Sequence, residues 1–335
     1  MHLPATPSYP PCYASKTLEL GQEGILPMEK RRPVCFDRRI EVIFCRLTGL
    51  SLFLLTSACS QIAFTTANLP SHFHDMVVVP DQAYGPEPVQ TLDIYIPAGT
   101  KDRQFEVVVF FYGGRWTSGA KEDYRFIGAT FTDKDFVVVI PDYRKYPQVR
   151  FPVFVEDGAK ALTWVSEHIT AFHGNPERIH VAGHSAGAHI GALLAADARY
   201  LANEGKERTR VIHDFVGLAG PYAFIPDEPD LEEIFGPSPN YPSMRVTTFI
   251  DGTQPPMLLL HGDADTRVRL TNLEKLEQRI TQQGGCVQSK IYRDVSHAGI
   301  LGALAWFYPR GVAVVDDILK FLHSCTSARS HHSLP

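Results

Sequence analysis

Residues 179–197 read IHVAGHSAGAHIGALLAAD. The first part is a β-type run, and the second carries Ile190, Leu193 and Leu194 at helical spacing. A single turn at Ser185 separates them, with Gly183 and Gly187 on either side. This pattern predicts a strand that runs directly into a helix, with the serine hydroxyl held out at the bend.

The segments around it repeat the alternation. EVVVFFYGG (from Glu106) and FVVVIPDYR (from Phe136) are continuous apolar runs, as in strands buried on both faces of a parallel sheet. KEDYRFIGATFTDKD between them reads as a helix. MVVVP and TLDIYIPAG, joined by the turn-rich DQAYGPEPVQ, read as two earlier strands. Gly158, Ala161, Leu162, Val165, Ile169 and Phe172 recur at spacings of three and four, which predicts a helix from about Pro152 to His173. VIHDFVGLAG and PPMLLLHGDAD follow as strands, then a polar helix from Thr266 to Gln283, the strand SKIYRDV and a closing helix near Leu322.

Strands alternating with helices require right-handed crossovers. The expected fold class is therefore α/β: a doubly wound, mostly parallel sheet with helices on both faces and antiparallel strands at its N-terminal edge. The interruption at residues 221–244, PYAFIPDEPDLEEIFGPSPNYPSM, is too short for a domain and reads as a loop or small lid. A surface excursion without function is the alternative. The expected organisation is an N-terminal extension with a signal segment over 1–59, a linker over 60–75, the main domain over 76–325 and a tail over 326–335.

Gly183-His184-Ser185-Ala186-Gly187 completes the pattern G-x-S-x-G. Chance supplies that pattern in roughly one chain in ten of this length, so its strand-to-helix context carries the weight. A serine hydroxyl needs a base within reach before it can attack. His323 lies on the closing helix, and His331 and His332 lie in the tail. His297, in IYRDVSHAGIL, follows a strand and precedes a helix, which places it in a loop at the carboxyl edge of the sheet, where sites form. A carboxylate must orient that imidazole. LLLHGDADTRV offers Asp263 and Asp265; Asp265 fits H-G-x-x-D-x-x-V, completed by Val268, while Asp263 suits a turn and Asp294 is a more remote candidate. FFYGGRWTSG lets the main chain approach the reacting carbon, so the N–H groups of Gly114, Arg115 and Ala186 are the expected oxyanion donors.

With these segments in order, residues 84–321 resemble the α/β-hydrolase superfamily. The likeness is closest to its esterase branch of hormone-sensitive-lipase-like esterases, arylformamidases and prenylcysteine methylesterases. It is carried by YGPEPVQTLDIYIPAG, FFYGGRWTSGAK, IPDYRKYPQVRFPVFVEDGAKALTWV and, most specifically, GNPERIHVAGHSAGAHIGALLA. The resemblance implies Ser185, Asp265 and His297 as a triad, residues 113–115 as the oxyanion loop, and a serine carboxylic-ester hydrolase acting on a small or medium ester. An arylformamidase-like amide hydrolase and a non-catalytic binding protein on the same scaffold are the alternatives. Many members carry histidine before the paired glycines, where this chain has Tyr112.

The 335 residues carry a net charge of -5, which suits a soluble body without a nucleic-acid footprint. Lys30, Arg31, Arg32, Arg38, Arg39 and Arg46 nevertheless cluster ahead of LTGLSLFLLTSACS, residues 47–60. That run falls short of the roughly 20 apolar residues of a membrane span and suits the apolar core of a secretory signal. Ser57 and Ala58 before Cys59 resemble a bacterial lipobox, although Thr56 stands where leucine is commoner. The expectation is lipidation at Cys59, membrane attachment through it, and export, with a soluble periplasmic or secreted form as the alternative. Residues 1–27 are a long preface to such a signal, and Met28 is a candidate start. None of the six cysteines is paired at C-x-x-C spacing, and no dinucleotide loop is present, so no metal or cofactor is expected. Cys286 and Cys325 are left as unpaired thiols or a disulfide.

Overall fold

The computed structural model describes residues 62–99, 103–305 and 312–329, with side chains as far as 323. All of them belong to the compact unit Thr56–Pro335. The signal segment, Cys59, the preface and residues 330–335 lie outside the described residues. Among those described, no helix is long and apolar enough to cross a membrane.

The strands are β1 (Met76–Ala83), β2 (Thr91–Pro97), β3 (Phe105–Phe111), β4 (Phe136–Pro141), β5 (Gly174–His184), β6 (Asp214–Leu218), β7 (Met257–Gly262) and β8 (Val287–Tyr292). They form one sheet in the order β1-β2-β4-β3-β5-β6-β7-β8. β2 pairs antiparallel with β1 and β4, and every other pairing is parallel. Each residue of β4, β6 and β7 is buried, as their unbroken apolar runs require. β8 closes the far edge and is mostly exposed.

The main helices are α1 (Arg125–Thr132), α2 (Val153–His168), α3 (Ala186–Ala196), α4 (Thr271–Gln282) and α5 (Val314–Arg329). Their placement on the sheet follows from register. Tyr95 of β2 lies opposite Val138 of β4, which lies opposite Val108 of β3, so these three share a face. A Cβ on Gly128 of α1 would strike the Tyr95 ring at 2.5 Å, whereas one on Gly158 of α2 would meet Phe111, Ile190 and Leu194. Phe111 is an odd number of residues from Val108 and points the other way. Helices α1 and α2 therefore cover opposite faces, and α3 packs beside α2.

Several boundaries differ from the sequence reading. The helix expected to reach His173 is α-helical only to His168 and tightens into a 3₁₀ turn, Ile169–Phe172. The polar helix starts at Thr271 rather than Thr266, because the Asp265 carboxylate takes the N–H groups of Arg267 and Val268 and holds that stretch as a turn. The larger correction concerns the expected linker. From residue 62 it is a helix, followed by a 3₁₀ turn, Pro70–Phe73. Ala67 and Ser71 are buried, and the Phe64 ring sits 5.1 Å from that of Tyr124. Asn68 completes the start of α1: its carbonyl accepts from Phe126 N–H, and its amide donates to the Glu122 and Asp123 carbonyls. Residues 62–75 thus belong to the folded domain. Cys286 is an exposed free thiol.

Away from the serine, three central strands are joined by a buried ion chain. His180 of β5 bonds to Asp214 of β6 at 2.8 Å and to Glu106 of β3 at 3.0 Å. Burial opposes a charge on this imidazole, but the two carboxylates outweigh it and push His180 up to about 9. A folded-state value above the unfolded one gives stability that is complete below about pH 6.5 and is lost as pH rises towards 9. Urea unfolding is expected to register a loss on the order of 3 kcal/mol across that window. The same titration of His180→Gln should lack this component.

Candidate active site

Ser185 ends β5 and begins α3 with φ 55° and ψ −121°, a conformation that non-glycine residues rarely adopt. The bend is imposed by crowding. A Cβ on Gly187 would lie 2.0 Å from the Phe111 carbonyl oxygen of β3, and one on Gly183 would lie 2.6 Å from the Gly187 carbonyl group. The Ser185 N–H is tied to the Leu218 carbonyl of β6 at 2.9 Å. The side chain is left at the carboxyl edge of the sheet, partly exposed.

His297 begins a short helix, His297–Gly302, beyond β8, and Ser296 caps that helix by accepting the Gly299 N–H. Its Nε2 is 2.9 Å from Ser185 Oγ, and its Nδ1 is 2.7 Å from Asp265 Oδ2. The other Asp265 oxygen accepts the Arg267 and Val268 N–H groups at 2.8 and 2.9 Å. Burial favours the protonated acid, but the bond from His297 and these N–H groups prevail and hold the Asp265 carboxyl below the usual carboxylate range. Asp265 is thus an anion aimed at Nδ1–H. Asp263 instead accepts the Asp294 N–H at 2.6 Å, and Asp294 is exposed. His323 stacks on Phe136.

Two further imidazoles border this line. His184 packs its ring 4.7 Å from that of His297 and donates from Nε2 to the His297 carbonyl at 3.0 Å. Burial, aided by His297, pushes His184 down to about 3, so it stays neutral. His261 donates to the Val268 carbonyl at 2.9 Å, and burial lowers it as well. Sequence reasoning assigned neither residue. His184 fills a variable position of its motif, and only burial against His297 gives it a role.

The loop after β3 passes directly over the serine. A Cβ on Gly113 would be 3.1 Å from Ser185 Cβ. Gly114, Arg115 and Trp116 follow with φ of 130°, 55° and 58°. Buried hydroxyls and amides fix the peptide planes. Tyr143 donates to the Tyr112 carbonyl at 2.8 Å, and the Tyr124 hydroxyl faces the Gly113 N–H. The Gly114 carbonyl accepts from the Thr117 and Ser118 N–H groups, each at 3.0 Å. Because the peptide is trans, this turns the Arg115 N–H the opposite way. Among the described residues no acceptor is paired with the N–H of Gly114, Arg115 or Ala186. Tyr112, in place of histidine, is buried between Tyr124 and Tyr143 at ring distances of 5.2 and 4.8 Å and bonds to Asp142.

Residues 221–244 fold onto this loop through the helices Pro229–Phe235 and Tyr241–Met244 and a 3₁₀ turn between them. Trp116 stacks on Phe224 at 5.6 Å and meets the edge of Phe235 at 4.8 Å. His189, one turn beyond Ser185, bonds to the Met244 carbonyl at 2.7 Å. Arg115 reaches Asp230 through two bonds of 2.9 Å and Glu228 at 2.6 Å. The inner side of the excursion therefore presents aromatic rings to Trp116 and to His189 of α3.

Sheet order, strand-to-helix bend and a serine–histidine–aspartate line at the carboxyl edge define an α/β-hydrolase. The BD-FAE family model matches residues 92–280, more than half of the chain, and the protein belongs to that family. Ser185 and Asp265 lie within the match, and His297 lies beyond it. The isoprenylcysteine alpha-carbonyl methylesterase ICME of Arabidopsis thaliana is 27% identical over 74% of this chain, which spans 61% of that relative's length. Carboxylesterase NlhH of Mycobacterium tuberculosis is 36% identical over 32% of this chain and 33% of its own. Among solved structures, esterase B from Lactobacillus rhamnosis aligns over 84% of this chain and 98% of its own with a TM-score of 0.69; at 16% identity this is a likeness of fold.

The close approach at the bend makes a specific mutational prediction. Gly187→Ala must push α3 away from the backbone of β3, and calorimetry should register a loss of about 1–3 kcal/mol or more, with the methyl group forced into a packed site.

Proposed function

We propose that the protein is a serine hydrolase that cleaves a small or medium carboxylic ester through an acyl-enzyme. The continuous hydrogen-bonded line Asp265–His297–Ser185 carries this reading. In the proposed reaction His297 Nε2 takes the Ser185 proton as Oγ attacks the ester carbonyl carbon. The Asp265 anion keeps Nδ1–H in place and offsets the imidazolium charge. The oxyanion rests on the N–H groups of Gly114, Arg115 and Ala186, where each donor contributes about 2.7–4 kcal/mol to the transition state. The C–O bond to the alcohol then breaks, and the alcohol leaves with the proton from His297. Water, deprotonated by His297, attacks the acyl-serine and restores Ser185. The neutral His184 beside His297 adds no second positive charge against the imidazolium.

The activities named for the relatives, carboxylesterase and methylesterase, support an ester over an amide. Turnover of short p-nitrophenyl esters is expected to exceed that of formyl-arylamines, and the opposite ranking would favour the arylformamidase reading. Ser185→Ala should cut ester turnover by about 10³-fold or more, abolish fluorophosphonate labelling and leave the melting temperature near that of the parent. Near-full activity in this variant would end the proposal.

Tyr143 is proposed as a positioning residue for the oxyanion loop, since its hydroxyl fixes the Tyr112–Gly113 peptide. Tyr143→Phe should lower kcat by about 10- to 100-fold with a smaller change in KM, because a slightly misplaced donor acts mainly on the transition state. An unchanged kcat would remove Tyr143 from this role.

We also propose export and attachment to a membrane through lipidated Cys59, on the strength of the basic cluster and the apolar run that precede it. Mass spectrometry of the mature protein should find a lipid-modified N-terminal cysteine. An intact segment 47–57 would exclude that processing.

A further inference from the structure

The helical segment at residues 62–73 is apolar on two opposite sides. Its inner side carries Phe64, Ala67 and Ser71, which pack on the domain. On the other side Ile62 is 66% exposed, Leu69 58% and Phe73 85%. At 100° per residue over the α-helical turns Leu69 falls within about 20° of Ile62 and Phe64 and Ala67 lie about 140–160° away, and Phe73 follows at the end of the 3₁₀ turn. Six large hydrophobic residues are exposed among those described, and these are three of them, gathered within twelve positions. Such clustering of exposed apolar side chains in one short segment calls for an occupant.

We propose that this outer face lies in the surface of a lipid bilayer. The proposal rests on the membrane-attachment reading and extends it from an anchor point to a docking surface. Chain continuity identifies the occupant. The apolar run at residues 47–57 ends five positions before Ile62, and Cys59 is three positions away. Three residues reach at most about 11 Å even when fully extended. A lipid on Cys59, or a retained apolar run, therefore holds Ile62 at the interface, and the exposed Leu69 and Phe73 side chains follow within the same segment. Residues 60–75 contain no lysine or arginine. Contact through this face thus depends on inserted apolar side chains rather than on attraction to anionic headgroups. Because the inner face packs on α1, the α1 side of the domain would face the lipid.

The test uses the full chain and vesicles of zwitterionic phosphatidylcholine with brominated acyl chains. Phe73→Trp adds a fluorophore at the C-terminal end of the segment, read as a difference from the parent chain. Bromolipid is expected to quench the added signal by about half or more, as for a side chain at the headgroup–acyl boundary. The triple variant Ile62→Ser, Leu69→Ser, Phe73→Ser should need several-fold more lipid for half-maximal binding while keeping the parent's melting temperature. If the chain binds vesicles but the added signal is not quenched, the docking surface is refuted and the anchor stands. If the chain does not bind vesicles at all, both are refuted.

Discussion

The backbone contact between the start of α3 and the end of β3 governs the arrangement of this molecule. With no side chain at Gly187, the helix presses against the Phe111 carbonyl, and Gly183 lets the strand fold tightly under the turn. The bend that results places Ser185 at the sheet edge beside the loop that follows β3. The residues hydrogen-bonded in line with Ser185 arrive from the loops after β7 and β8, two and three strands further along the sheet. Parallel pairing keeps all of these strands ending on the same side, so loops far apart in sequence meet there.

The electrostatics of the domain divide along the strands. At the carboxyl ends, burial holds His184 and His261 neutral beside His297, and one imidazole is left to face both a hydroxyl and a carboxylate. Deeper in the sheet, His180 is held as a cation between Asp214 and Glu106. The same side chain is pushed in opposite directions because two carboxylates bond to His180, whereas His184 and His261 bond to backbone carbonyls and lie near the His297 imidazole. Burial sets the size of the effect and the neighbours set its sign.

The loop after β3 and the 221–244 excursion pack as one assembly. Trp116 is held among aromatic rings of the excursion, and Arg115 crosses to its acidic helix. The Arg115 pairs are about half exposed and contribute little to stability. Their effect is directional: they hold a residue at positive φ whose N–H has no partner among the described residues. The strain of that backbone is sustained by four polar contacts to the Gly114 carbonyl and by the tyrosines beneath the loop.

The sequence alone was enough to read the alternation of strands and helices, the bend at Ser185 and the loops that carry Asp265 and His297. Those signals are local: a period of residues, a glycine at a turn, a motif that ends a strand. It could not place the neighbours that act across the sheet, such as Asn68 capping α1, Tyr143 gripping the Tyr112 carbonyl or His184 against His297. Each of these is a residue of ordinary type in an unremarkable stretch, and partners far along the chain give it a role. For the same reason residues 62–75 read as a linker, since a short segment with two buried positions differs from a loop only when the surface it covers is present. Choosing Asp265 over Asp263 drew on a motif, whereas the geometry rests on which carboxylate reaches Nδ1. Local chemistry is written in neighbouring residues, but orientation requires contacts between distant ones, and these exist only once the sheet has closed.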